Sequence, residues 1–225
     1  VLRADPAVAY VERDQVARIA EVVPNDPAFA DQWGITKAGV DLAWATTRGS
    51  AAIVVAVVDT GVKALPDFAG RMLPGRDFVN NDLWASDDNG HGTWVAGIIA
   101  AKPNDGYGIA GISWSGTILP VKIMNSSGTG STSALINGII WAADSGATVI
   151  NMSVGGFPYS QHVQDAVNYA WSAGFKRICV VTNGIRLGQE DDFAARMRAA
   201  CGATCGTRRS RGTGRPVRSR PRSGP

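Results

Sequence analysis

No apolar run in this chain approaches the ~18–20 residues that a membrane-spanning helix needs, so no membrane association is expected. Cysteine is scarce. The three copies, Cys179, Cys201 and Cys205, all fall late, and an odd number excludes a complete disulfide framework. Cys201 and Cys205 alone lack the further ligands of a tetrahedral zinc site. A basic start followed by an apolar stretch is also missing, so these residues carry no secretory signal. The chain does not open on Met, and its natural start is expected upstream.

Charge is distributed unevenly. Residues 1–176 hold 5 Lys, 6 Arg and 16 acidic residues, a net −5, whereas residues 177–225 hold 11 Arg and 3 acidic residues, a net +8. Apolar residues make up 45%, enough for a core, and 27 glycines announce tight loops. Residues 207–225 hold 7 Arg among Gly, Ser and Pro with no aromatic, a composition that buries nothing and predicts disorder.

Ala51-Ala-Ile-Val-Val-Ala-Val-Val58 is a continuous, β-branched run, the pattern of a strand buried on both faces of a parallel sheet. Ile118–Met124, Ala147–Met152 and Ile178–Val181 are further strand candidates. Small residues from Gly92 to Ala101 suit a buried helix. Leu135, Ile136, Ile139, Ile140 and Ala143 recur at helical spacing before Gly146, and Val163, Ala166, Val167, Ala170 and Trp171 before Gly174. Loose alternation in residues 1–24 allows a terminal strand of a small leading module, and Phe193–Ala200 a short helix. Strands alternating with helices predict an α/β fold, a parallel sheet with helices on both faces. Ligands of such sheets bind beyond the carboxyl ends of the strands, where Asp59, Asn125 and Ser153 fall.

Two short motifs carry the chemistry: Asp59-Thr-Gly61 after the first strand and His91-Gly-Thr93 opening a small-residue helix. Each alone is an ordinary turn or helix start. In order, with Ile53-Val-Val-Ala-Val-Val-Asp-Thr-Gly-Val62, Gly90-His-Gly-Thr-Trp-Val-Ala-Gly97, Gly108-Ile-Ala-Gly111 and Val149-Ile-Asn-Met-Ser-Val-Gly-Gly156, the chain resembles the subtilases, the peptidase S8 family of subtilisin-like serine proteases. The likeness leans to the thermitase-like branch and covers roughly residues 24–175.

The resemblance implies a subtilisin-like fold, incomplete at its C-terminus, and an Asp-His-Ser triad. In that reading His91 is the general base, Asp59 orients it, and Gly61 and Gly92 permit close backbone approach. Ser153, Val154 and Gly155 match the segment that pairs with a polypeptide substrate, and Gly128, Thr129 and Gly130 the facing edge. Asn183, in Val180-Val-Thr-Asn-Gly184, is the candidate oxyanion donor, although Thr182 stands where the family has Gly. Calcium is the implied metal. Asp26, Asp67 and Asp105 with carbonyls of Lys102, Tyr107 and Ile109 form one candidate site. Asp77, Asn80 and Asp82, with Asp87 nearby, form a second, for which a solvated acidic loop is the alternative. Residues 1–23 resemble the tail of an inhibitory propeptide, residues 24–185 a partial catalytic domain, and residues 186–225 a non-family tail.

The family's Gly-Thr-Ser-Met-Ala-like nucleophile segment is absent from these residues, since Ser210, Ser219 and Ser223 lie among Arg and Pro. Trp94 replaces a residue that the family usually keeps smaller. The expectation is therefore a secreted, monomeric endopeptidase whose sequence is truncated or frame-shifted near residue 176 and inactive as it stands. A non-catalytic peptide-binding relative is the alternative. Nucleic-acid binding by the Arg-rich tail is a third reading, but no folded reader or stacking aromatic accompanies those arginines, so no nucleic acid is expected as a partner.

Overall fold

The computed structural model describes residues 7, 9–16, 22–156, 159–174 and 179–180. By its internal contacts the chain divides into Val1–Thr182 and Asn183–Pro225, and every described residue belongs to the first unit.

The β-branched run becomes β1, Val54–Asp59, at the centre of a five-stranded sheet. β2 is Arg76–Asp77, β3 Thr117–Lys122, β4 Val149–Met152 and β5 Cys179–Val180. The order is β2-β3-β1-β4-β5, and every pairing is parallel. β3 pairs with β1 along its whole length, from Val54 opposite Thr117 to Asp59 opposite Lys122.

Strand alternation sends β1 side chains to both faces. Val55 and Val57 join Phe68, Ile118, Ala96 and Ala100, the last two from α3, His91–Ala100. Ala56 and Val58 join Leu135 and Ile139 of α4, Thr132–Asp144, and Ala166 and Ala170 of α5, Gln161–Ser172. Helices therefore cover both faces, as the sequence predicts. Each fully buried Val, Leu or Ile contributes roughly 1.5–3 kcal/mol by leaving water. α4 starts at Ser131, whose hydroxyl accepts the Ala134 N–H at 3.1 Å, and Gly146 follows its end at φ 79°.

Pro120 lies within β3 and offers no N–H. The Ile118 N–H donates outward to the Arg71 carbonyl, and the Lys122 carbonyl accepts from Phe78 on the same side. Alternation therefore turns the missing donor of Pro120 toward the outer margin, where β2 pairs only with Val121 and Lys122.

Two features depart from the sequence reading. α1, Trp33–Ala38, and α2, Val40–Ala43, are short helices without side-chain caps, so no start signal marks them. They form because Ile35 and Trp44 bury against Ala110. The strand expected within residues 1–24 does not form among its described residues. Tyr10, Val16 and Val23 are all exposed, and no sheet edge meets them. Among the described residues no helix is long and apolar enough to cross a membrane.

Candidate active site

β1 ends at Asp59, and its neighbours β3 and β4 end on either side of it. The chain then turns at Thr60-Gly61, with Gly61 at φ 103°. α3 begins next to this turn. A Cβ on Gly92 would strike the Gly61 carbonyl oxygen and come within 3.2 Å of Asp59 Cβ, so only hydrogen fits and the two backbones touch.

This contact brings His91 Nδ1 to 2.7 Å from Asp59 Oδ1. Asp59 is completely buried, whereas the His91 side chain is 46% exposed. A carboxylate acceptor at Nδ1 selects the tautomer that carries its proton there, leaving Nε2 free to take a proton. The Thr60 N–H also donates to Asp59 Oδ1, at 2.7 Å. Asp59 Oδ2 is buried and has no partner among the described residues.

The start of α3 is held by side chains from outside the helix. The Gly92 N–H donates to Thr60 Oγ1 at 2.9 Å, the Thr93 N–H to Asp87 Oδ2 at 3.0 Å and the His91 N–H to Asn89 Oδ1 at 3.2 Å. These contacts satisfy donors that a helix start leaves unpaired. Asp87 is the hub. It also accepts from the Thr60 and Thr93 hydroxyls and from the Asn89 and Gly90 N–H groups. Burial pushes its pKa up, but the donors from Gly90, Thr93 and Asn89 outweigh this and bring it down to about 2. Asp87 is thus spent on bracing the His91 loop and has no oxygen left over for a metal beside Asp82. Sequence reading missed this role because its partners Thr60 and Thr93 lie on different elements.

Lys122 was also missed. Its ammonium is buried at the end of β3 and donates to the Thr60 and Met124 carbonyls and to Asp88. A lone Lys within an apolar run gives no sequence signal of what it holds.

The two candidate substrate segments flank Asp59. Gly130 makes an antiparallel bridge to Met124, just past β3. Asn125 Oδ1 accepts from the Ser127 and Thr129 N–H groups and the Thr129 hydroxyl, which shapes the Gly128–Thr129 turn. Asn89 Nδ2 ties this turn to the His91 loop through the Ser126 carbonyl, at 2.9 Å. Ser153, Val154 and Gly155 continue past β4 outside any regular element. The Ser153 hydroxyl accepts from Asn151, and Val154 packs on the α4–α5 core. Asn183 lies outside the described residues.

The candidate calcium residues gather unevenly. Among the described residues no group of three or more His, Cys, Asp or Glu is close enough to hold a metal. Asp26 Oδ2 accepts the Asn104 N–H at 2.9 Å, and Tyr107 N–H donates to Asp105 at 3.0 Å. Lys102 reaches Asp105 at 3.9 Å and donates its backbone N–H to the Asp67 carbonyl. Burial raises the pKa of Asp67, the charges of Asp105 and Asp26 add to the rise, and the Ile109 N–H opposes it. Asp26 Oδ1 and Asp67 Oδ1 are buried and unpartnered among the described residues. In the second cluster Asp77 accepts the Val79 and Asn80 N–H groups and the Asn80 amide, while Asp82 accepts the Trp84 N–H. Asp77 and Asp82 pair through their backbones.

A central parallel strand delivers a buried carboxylate to an imidazole at a helix start, the arrangement that the motifs suggest. The pattern of the Subtilase family (Peptidase_S8) matches residues 50–195, and the chain belongs to that family. It is 47% identical over 153 residues to thermitase of Thermoactinomyces vulgaris, covering 67% of this chain and 54% of thermitase. It is 36% identical over 216 residues to an extracellular protease of Xanthomonas campestris pv. campestris, covering 77% and 37% of the two chains. Among solved structures it resembles a protease of Pseudoalteromonas arctica PAMC 21717, with TM-score 0.64 and 34% identity, covering 70% and 58%. The chain thus spans about half the length of thermitase.

Proposed function

We propose that this chain carries the acid–base half of a serine endopeptidase, with Asp59 and His91 as its catalytic pair. The Nδ1–Oδ1 contact of 2.7 Å carries the proposal. A serine hydroxyl is too weakly acidic to attack a peptide carbonyl unaided. His91 Nε2 takes its proton as the oxygen attacks, then returns that proton to the leaving amine. Buried Asp59 holds the tautomer and stabilises the imidazolium formed between the two steps.

The substrate is a polypeptide strand lying between Gly128–Gly130 and Ser153–Gly155, over the end of β1. Backbone hydrogen bonds would supply its affinity. Asn183 serves as an oxyanion donor in this reading, and residues 1–23 as part of an inhibitory propeptide. The enzyme is secreted and monomeric, its catalytic domain begins near residue 24, and the Arg-rich residues 207–225 stand outside it.

Calcium binds beside Asp67. Two buried carboxylate oxygens without donors, on Asp26 and Asp67, suit a hard cation that also takes backbone carbonyls. The ion would neutralise the charge that Asp26 and Asp105 place on Asp67. The Asp77–Asp82 loop is the weaker second site, because both Asp77 oxygens already accept hydrogen bonds.

The 225 residues contain no Gly-Thr-Ser segment, so a polypeptide of these residues alone is expected to show no peptidase activity. Joining residues 24–182 to the serine-bearing remainder of thermitase tests the catalytic pair. The hybrid should cleave casein, and D59N should lower its kcat by about 10⁴-fold. An active hybrid indifferent to both D59N and H91A would overturn the assignment.

A further inference from the structure

Lys122 is 1% exposed, and its ammonium has three protons to place. It gives one each to the Thr60 carbonyl at 2.7 Å, the Met124 carbonyl at 2.8 Å and Asp88 Oδ1 at 2.6 Å. These acceptors sit on three different segments. Thr60 follows Asp59 at the end of β1. Met124 bridges Gly130 at the edge proposed to bind substrate. Asp88 lies in the loop that leads to His91. The root of the side chain is fixed as well, because Lys122 stands opposite Asp59 in the sheet register, and the next residue's N–H donates to the Asp59 carbonyl at 2.8 Å.

We infer that Lys122 is a positioning residue that locks the Asp59 turn, the His91 loop and the substrate edge into one register. The inference rests on the catalytic reading of Asp59 and His91 given above. A carboxylate–imidazole bond tolerates little error in placement, and its two partners arrive on separate loops. A single buried cation that draws on both loops fixes their separation, in addition to the Gly61–Gly92 contact. Asp88 is 49% exposed, so it is the one arm that can be removed without opening the core. The other two acceptors are main-chain carbonyls, which no substitution deletes.

The test uses the 225-residue protein with H162Q, which leaves His91 as its sole histidine. Nitrogen-15 NMR of the ring reports the tautomer, and a far-downfield proton reports the Nδ1–H bond to Asp59. The parent should show the Nδ1–H form with its downfield proton. D88A and K122M, with circular dichroism of the parent, should lose that proton and give mixed tautomers. Asn125, whose N–H donates to Thr129, should exchange its amide about tenfold faster in both variants. If K122M does not fold, D88A decides alone. An unchanged tautomer and unchanged Asn125 exchange in folded D88A would overturn the role of Lys122 while leaving the Asp59–His91 pair intact. A parent that itself lacks the Nδ1–H form would instead overturn the reading of the pair.

Discussion

Asp87 and Asp67 are both buried aspartates in loops that follow β1, yet their surroundings drive them in opposite directions. Asp87 receives donors from Thr60, Asn89, Gly90 and Thr93, and its pKa falls to about 2 despite burial. Asp67 keeps an oxygen without a donor, faces the charges of Asp105 and Asp26, and its pKa rises. Burial is common to both, so the supply of N–H and O–H donors makes the difference. One loop is complete from protein groups alone. The other is left with negative charge that an added cation would relieve.

The sharpest way to break this contrast is to remove the hub. D87A deletes an acceptor that five donors share and should destabilise the protein by about 3 kcal/mol in urea denaturation. A loss below about 1 kcal/mol would mean that Asp87 is not the brace described. Calcium tests the other loop. At a hundredfold excess over its Kd it should add about 2.7 kcal/mol, read as a higher Tm, and D67N should abolish the gain. Because the Asp67 pKa is raised, its ionisation costs stability. That cost is absent below the unfolded pKa and grows as pH rises through the raised folded value. D67N without calcium should therefore be neutral or stabilising at pH 7, whereas a marked loss would contradict the account.

Acid titration sharpens the comparison further. The Asp87 pKa lies below its unfolded value of about 3.9, so its contribution is complete above about pH 4. It should fade as pH falls toward 2, by on the order of 2 kcal/mol in total, and D87N should lack that component. The smallest effect belongs to a site remote from both loops. S131A removes the cap of α4 and should cost about 1 kcal/mol, with no change in calcium response.

The elements that could be read from sequence are those whose cause is local. The Val54–Asp59 run, the small residues of α3 and the apolar stripes of α4 and α5 each carry their own periodicity. The positions of Asp59 and His91 followed from motifs, and the structure brings the two into contact. What escaped depends on contacts between distant segments. β2 is two residues long and exists only because β3 offers it an edge. α1 and α2 lack caps and depend on Trp44 finding Ala110. Asp87 resembled one more acid in an acidic loop, and Lys122 one more charge. Their roles appear only when residues far apart in the chain are placed side by side.

Pro120 bears on how the outer flank of β3 is closed. An open strand flank invites a neighbouring chain to zip onto it, and the ladder grows only while each successive amide can donate. Along β3 that succession stops at a residue with nothing to give, and the chain's own Arg71–Phe78 segment takes up the groups on either side of it: Ile118 donates to Arg71 and accepts from Leu73, and Lys122 accepts from Phe78.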